Sequence, residues 1–458
     1  DKGYLFSMHE PRDARTWLVA FDNPADKATL RWEITVDDDL TAVANGNLIE
    51  MNPVENNKNK WIFELDQPIP TYLMALDAGD YETIEQQTTT GIPITHYIEP
   101  GTLDRANDTF GNTPEVIDFF SDLFAEYPFD RYGNAVVPLG GLAMEHTTIT
   151  SFGRPLVGDP DGALINVHEI GHHWFGNWVT LSEWPEIWLN EGFTSYSEVL
   201  WWEHLHGEEG RLEYLDYQRL VYMWEKEDEG TYPLYDPDDL FGSTIYEKGS
   251  LVVDMLRVVM GDEAFFTTLR DWMAEYGGQN ASTPDLQALA EVEYGHSLDW
   301  FFDQWVYGAG QPSYEWSVSE QTIADGTVQL DFAIRQTGNE LFAMPMELVW
   351  TDEHYETVTE EVWVSEAEQT FSFCVTGNTS DHAFDPNQMV LRDEMLFVDE
   401  LVDAELVCTP AVVDEDVDEE APRQCSCVSG GWQSAVWLPL SLAFVFRRRC
   451  HPWTASAE

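Results

Sequence analysis

The stretch from Val167 to Phe193, VHEIGHHWFGNWVTLSEWPEIWLNEGF, constrains this chain more than any other. His168 and His172 stand four residues apart, so on an α-helix they share one face about one turn from each other. Two imidazoles so placed can bind one Zn2+, and Glu169 beside the first can reach a metal-bound water without ligating the metal, as a general base does. Apolar runs flank the pentad, LINV before it and HWFGNWV after it, and the whole segment reads as helix. A catalytic zinc needs a third protein ligand and an open fourth position. Glu191 in WLNEGF follows His172 with 18 residues between and opens a second helix. The chain is therefore expected to fold as a helix, a turn at SEWPE and an antiparallel return helix that brings Glu191 back beside the histidines. Glu183 and Glu186 in the turn, and His173, which projects about 100° away from His172, read as structural. Glu198 on the second helix is a candidate for holding a ligand histidine.

Around this region the texture changes twice. Residues 1–84 alternate apolar and polar positions in short runs such as ATLRWEITV and KWIFELD, broken by turn clusters such as NPVENNKNK, and read as an N-terminal β-domain. Residues 85–310 carry helical periods, as in TPEVIDFFSDLFAEY and DEAFFTTLRDWMAEYG, and form a mainly helical region that holds the zinc motif. Residues 311–396 return to alternation in YEWSVSE, TVQLDFAIRQ, MELVWTD and QTFSFCV, at the spacing of a small C-terminal β-sandwich. The fold class is multidomain α+β. The first residues read as the middle of a domain, so the N-terminal β-domain is expected to be truncated and the chain a fragment or processed form.

Charge narrows the partners. With 84 acidic against 22 basic residues the formal net charge is −62, a field that repels nucleic acid and anionic membrane surfaces and suits salty surroundings or amine-bearing substrates. Five cysteines make no disulfide framework and none lies near the zinc motif, although Cys374 and Cys408 could pair in an oxidising compartment. Residues 397–424 form an acidic linker. Residues 425–458 carry CSCVSGGWQSAVWLPLSLAFVFRRRC, whose apolar stretch is short for a membrane span, which needs roughly 20 residues. Its order of cysteines, apolar stretch and arginine run resembles bacterial C-terminal surface-sorting tails, in which the arginines stay cytoplasmic. That resemblance implies an exported protein, at the cell surface or extracellular, anchored through the tail until cleavage and lipid attachment near Cys425 or Cys427.

Two further segments choose among zinc hydrolases. GGLAMEHTTIT (140–150) is a Gly-rich turn followed by an apolar β-type stretch, with Glu145 read as exposed at its centre, and STIYEKGSLVVDMLR (243–257) puts Tyr246 at the entrance of an apolar helix. With the zinc motif, and with EPRDARTWLVAFDNPADKATLRWEI, YPFDRYGNAVVP and FFDQWVYGAGQP in the same order, the chain resembles the zinc aminopeptidases of the aminopeptidase N and leukotriene hydrolase family over residues 4–396. The resemblance implies a thermolysin-like catalytic domain over 85–310 and one Zn2+ per chain on His168, His172 and Glu191. It further implies Glu169 as base and then acid, Tyr246 as oxyanion stabiliser, Glu145 as receiver of the substrate's α-ammonium, and Ala143 and Met144 as the segment running along the substrate. The expected substrates are peptides with a free N-terminus. Three positions depart from the family pattern: His146 replaces the usual Asn, Leu142 the usual Gly, and Met8 a glutamine that assists amine binding. The competing readings are a zinc endopeptidase or epoxide hydrolase on the same scaffold, and an inactive surface-binding module.

Overall fold

The computed structural model describes residues 3–324, 326–399, 401 and 406–408. It opens with β1 (Ala28–Asp37), β2 (Thr41–Ala44), β3 (Asn47–Val54), β4 (Lys58–Ile69) and β5 (Leu76–Gly79). β1, β4 and β3 form an antiparallel sheet with β4 in the middle, and β2 pairs with β5. Period-two alternation explains the sheet: Ile34 and Phe63 share a buried face with Ala42 and Ala44 beneath it, while Arg31–Glu64 and Lys60–Glu33 pair as ions on the other face.

A five-stranded mixed sheet follows, built from β6 (Glu82–Gln87), β7 (Pro93–Ile98), β8 (Tyr132–Val137), β9 (Ala143–Met144) and β10 (Thr150–Gly153) in the order β6-β7-β8-β10-β9. Position 84, where the sequence texture changes, lies inside β6. The parallel β7–β8 pair is joined by α1 (Leu103–Phe110) and α2 (Thr113–Leu123), as a parallel connection requires. Every residue of the central β8 is buried, whereas β9 is an edge strand paired on one side only with β10.

The helical part comprises α3 (Gly162–Gly171), β11 (Thr180–Leu181), α4 (Trp188–Glu229), α5 (Gly249–Met260), α6 (Asp262–Tyr276), β12 (Asn280–Ala281), α7 (Thr283–Tyr294) and α8 (Asp299–Trp305), with β11 and β12 paired in parallel. Trp174, Trp188 and Trp305 are among its fully buried side chains. Residues 188–229 are not one rod: Gly207, at φ 72° and ψ −164°, breaks the helix, in a backbone region that glycine enters at little cost.

Beyond it stand β13 (Tyr314–Ala324), β14 (Thr327–Gln336), β15 (Met344–Thr351), β16 (Thr357–Val364), β17 (Glu368–Thr376), β18 (Ser380–Phe384) and β19 (Met395–Phe397). They make a four-stranded sheet, β17-β14-β13-β19, and a three-stranded sheet, β16-β15-β18. Rings from the two sheets meet, with Trp350 of β15 5.0 Å from Phe373 and 6.1 Å from Phe332. Cys374 and Cys408 are joined by a disulfide, and Gln329 accepts hydrogen bonds from the Val407 and Cys408 amides. Among the described residues no helix is long and apolar enough to cross a membrane. The rest of the acidic linker and the whole of residues 425–458 lie outside the described residues.

Candidate active site

α3 carries His168 and Glu169 and ends at Gly171, with His172 as its cap. The helix expected to continue through HWFGNWV stops here instead, and the chain makes a tight loop closed by a Phe175–Val179 bridge around Gly176 at φ 117°. His172 keeps helical dihedrals and donates its amide to His168 at 3.2 Å, so the four-residue spacing still puts both rings on one side. A short 3-10 turn over Trp184–Glu186 reverses the chain into α4, whose first turn carries Glu191.

The three side chains converge. Glu191 Oε2 lies 3.3 Å from His168 Nε2 and 3.2 Å from His172 Nε2, and the two nitrogens are 3.0 Å apart. Second partners fix the tautomers: His168 Nδ1 faces Glu198 Oε1 at 2.6 Å and His172 Nδ1 faces the Phe175 carbonyl at 3.1 Å. Both partners only accept, so each Nδ1 carries a proton and each Nε2 is turned to Glu191, to meet it through a proton or through a metal ion. Ligand atoms about 2.0–2.1 Å from a tetrahedral zinc stand roughly 3.3 Å from one another, so this triangle fits one such ion. Electrostatics agrees with a cation here. Burial alone would lower both histidines, yet Glu191 and Glu198 push His168 well above its ordinary value, and Glu191 with Glu145 raises His172. Burial would raise Glu191, but His172 and His168 overcome it and bring it down to about 2.

Glu169 and Tyr246 face the same point. Glu169 is 5% exposed, its Oε2 has no hydrogen-bond partner, and burial raises it to about 8 against the opposing pull of His168 and His172. Tyr246 sits in a π-turn, Thr244–Lys248, that runs straight into α5, and its ring stacks on His168 at 5.9 Å. Burial first, then Glu191, push its hydroxyl well above the ordinary phenol value, so it keeps its proton. The two elements approach because glycines meet: Gly192, beside Glu191, touches the backbone of Gly249.

A second convergence involves Glu10, Glu145 and Glu191, with one carboxylate oxygen from each lying within 4.8 Å of the others. Glu145 is 3% exposed, which corrects its reading as an exposed turn residue: the edge strand β9 tucks under the helical part, and Asn177 Nδ2 donates to the Glu145 carbonyl at 2.8 Å. Glu145 Oε1 and Glu10 Oε1 are buried without partners, and burial raises both carboxyls; Glu145 and Glu191 raise Glu10 further, which ends well above its ordinary value, and Glu191 raises Glu145 against the pull of His172. Glu10 was not among the residues expected to form the site. Its signal was the MHEP tetrapeptide, in which Glu10 follows Met8 by two residues. Of the other two residues expected along the substrate, Ala143 is half-buried opposite Phe152, while Met144 buries its side chain in the core and leaves only backbone toward the site. His146 is fully buried, with Nδ1 on Ser151 Oγ at 2.8 Å.

The neighbours set aside on sequence are structural in geometry. His173 bridges the Glu169 carbonyl and the Thr148 amide, and burial drives it down to about 3. Glu186 receives the Thr283 amide and hydroxyl at the start of α7, and Glu183 is exposed. Glu198, by contrast, is engaged on both oxygens, by His168 and by the Tyr214 hydroxyl.

Comparison with known proteins fits this geometry. Residues 109–305 match the Peptidase family M1 domain and residues 1–73 the Peptidase M1 N-terminal domain. Aminopeptidase M1 of Arabidopsis thaliana is 28% identical over 351 residues, covering 72% of this chain and 39% of that protein. Among solved structures, a two-domain M1 zinc metallopeptidase mutant bound to L-tryptophan superposes with a TM-score of 0.60 at 27% identity, over 67% of this chain and 70% of that one. Legionella pneumophila aminopeptidase A in complex with aspartic acid shares the fold, with a TM-score of 0.74 at 20% identity over 87% of this chain and 48% of that one. The chain thus spans about two fifths of the length of the Arabidopsis relative.

Proposed function

We propose that this chain, a member of the peptidase M1 family through residues 1–73 and 109–305, is a zinc-dependent aminopeptidase acting on peptides with a free N-terminus. The observation that carries the reading is that Glu191 belongs to two clusters at once, one with His168 and His172 and one with Glu10 and Glu145. The first has the donor set of a zinc site and the second that of an ammonium site, so a metal and a substrate's α-amine would be held side by side. One zinc per chain on His168, His172 and Glu191 would supply a water of lowered pKa and polarise the scissile carbonyl. Glu169 takes the attacking water's proton at Oε2 and returns it to the leaving amine, a task suited to a carboxyl raised to about 8. Tyr246, protonated in its buried seat, donates to the developing oxyanion. Glu10 and Glu145 accept hydrogen bonds from the α-ammonium, while the backbone of Ala143 and Met144 offers an edge to the peptide. The relative bound to L-tryptophan, a free amino acid, supports a site of that kind.

Residues 1–84, 85–310 and 311–396 are taken as the N-terminal β-domain, the thermolysin-like catalytic domain and a β-sandwich, the last supported by the ring contacts between its two sheets. Export is supported by the Cys374–Cys408 disulfide, which suits an oxidising compartment. Glu169→Gln is expected to abolish turnover of an aminoacyl reporter while leaving zinc bound at wild-type stoichiometry; retained turnover would sink the assignment. The same reporter with an acetylated amine should not be cleaved. Cleavage would favour an endopeptidase, and failure of the wild-type chain to take up zinc would favour an inactive binding module.

A further inference from the structure

Tyr214 lies 16 residues beyond Glu198 within residues 188–229, yet its hydroxyl donates to Glu198 Oε2. On a straight helix the two residues would be about 24 Å apart. The break at Gly207 removes that distance by turning residues 208–229 back over residues 188–206. Three further bonds hold the return: Gln218 Nε2 to the Ser195 carbonyl at 3.2 Å, Ser250 Oγ to Gln218 Oε1 at 2.8 Å, and Arg211 Nη1 to Asp254 Oδ1 at 2.5 Å. Tyr214 is wedged between the rings of Trp202 and Tyr217, at 5.9 and 5.7 Å. The other oxygen of Glu198 faces His168 Nδ1 at 2.6 Å. A chain of three groups therefore runs from the returning helix to the imidazole.

We infer that Tyr214 is a positioning residue for the metal site: by clamping Glu198 from behind it fixes the orientation and tautomer of His168, and the Gly207 break is what delivers it. The inference rests on the zinc reading above. A carboxylate held by one donor can rotate about its last torsion. Held by two donors on opposite oxygens, it presents one lone pair along a fixed line, and the imidazole that donates to it is fixed with it. Nothing else described in the structure donates a hydrogen bond to Glu198 Oε2, so Tyr214→Phe frees that end of the carboxylate while keeping the ring packing.

Loss of an outer partner of a ligand histidine typically weakens metal binding about 10- to 100-fold. The test is zinc affinity, by competition with a chromophoric chelator, for the wild-type chain, Tyr214→Phe, Glu198→Ala and the double variant, with the unfolding temperature of each recorded in chelator. Tyr214→Phe should weaken zinc about tenfold with the unfolding temperature in chelator unchanged. In the Glu198→Ala background the same change should have no further effect, because the path from Tyr214 to His168 is already cut. Wild-type affinity in Tyr214→Phe would overturn the proposal, and so would an equal loss in both backgrounds, which would mark Tyr214 as acting through general packing. A wild-type chain that binds no zinc would overturn the site reading itself, an outcome distinct from either.

Discussion

Replacing Gly249 by alanine should separate two helices that touch through bare backbone. A Cβ built on Gly249 falls 2.9 Å from the Gly192 Cα, and one built on Gly192 falls 3.1 Å from the Gly249 Cα. Carbon atoms settle at about 3.5–4.0 Å, so α4 and α5 must part by roughly 0.6–1 Å. Neither neighbour is the end of a flexible side chain, so the strain cannot be taken up by a rotamer change. Gly192 adjoins Glu191, and Gly249 follows the π-turn that carries Tyr246, so the separation falls between a ligand and the phenol stacked over His168.

Two effects oppose each other in stability. Overpacking costs about 1–3 kcal/mol, while exchanging a helical glycine for alanine returns about 0.5–1 kcal/mol, so the net loss should be no more than about 2.5 kcal/mol. Activity has no such offset: a misplacement of about 1 Å is worth on the order of 100-fold in rate. The expected signature is a kcat lowered about 100-fold on an aminoacyl reporter with a urea midpoint lowered by no more than that loss allows. Gly338→Ala serves as control, because its Cβ would lie 3.5 Å from the nearest atom, the Glu340 carbonyl, an ordinary contact. If Gly249→Ala turns over within about threefold of wild type, the glycine pair does not set the distance between Glu191 and Tyr246.

Stability should also depend on pH through Asp77, which is fully buried and raised by that burial to about 7, with Ser151 Oγ at 3.3 Å and its other oxygen unpartnered. The folded chain holds this proton to higher pH than the unfolded chain, so the group's contribution is complete below about pH 4 and is lost as pH rises through about 7, by up to about 4 kcal/mol. Asp77→Asn should therefore gain on wild type between pH 5 and pH 8 in urea unfolding, and a constant difference between the two proteins would refute the assignment. The Cys374–Cys408 bridge closes a separation of 34 residues, which corresponds to about 4 kcal/mol of unfolded-state entropy. Reduction, or the double alanine variant, should lower the unfolding temperature of the four-stranded sheet, and an unchanged melt would show that the hydrogen bonds to Gln329 hold the strand end without it.

The zinc triangle was legible because it depends on local periodicity. Four residues on a helix fix His168 against His172, and a helix–turn–helix of short connection fixes Glu191. The β-segments were legible for a similar reason, since half-buried strands alternate. What escaped was whatever depends on distant segments meeting. Glu10 reaches Glu145 and Glu191 across much of the chain, and no local pattern announces that contact. Glu145 was read as exposed because its Gly-rich turn is a surface signal, yet the amide of Asn177, on a different element, holds the carbonyl of Glu145 inside. Tyr214 escaped for the same reason: the second helix reads as EGFTSYSEVLWWEHLHG, ending at Gly207, and nothing local says that the segment after it folds back. The left-handed φ of Gly207 reverses the chain there.

The departure at Met8 takes on a different meaning in this geometry. A neutral amide at that place would share an ammonium with one carboxylate, but here Glu10 and Glu145 both present unpartnered buried oxygens, and Glu191 completes the group. Glu191 is already committed to the two imidazoles, so most of its charge is answered by the metal site. Glu10 and Glu145 are left close together, both raised first by burial, Glu10 then by Glu145 and Glu145 by Glu191. Close carboxylates in that condition share a proton when nothing positive lies between them. Under the proposed function, an α-ammonium entering the pocket would replace that proton and relieve the repulsion at the same time. The binding energy of the amine would then come in part from relief of that crowding, and the absence of an amide at position 8 would leave the ammonium two buried carboxylates of its own.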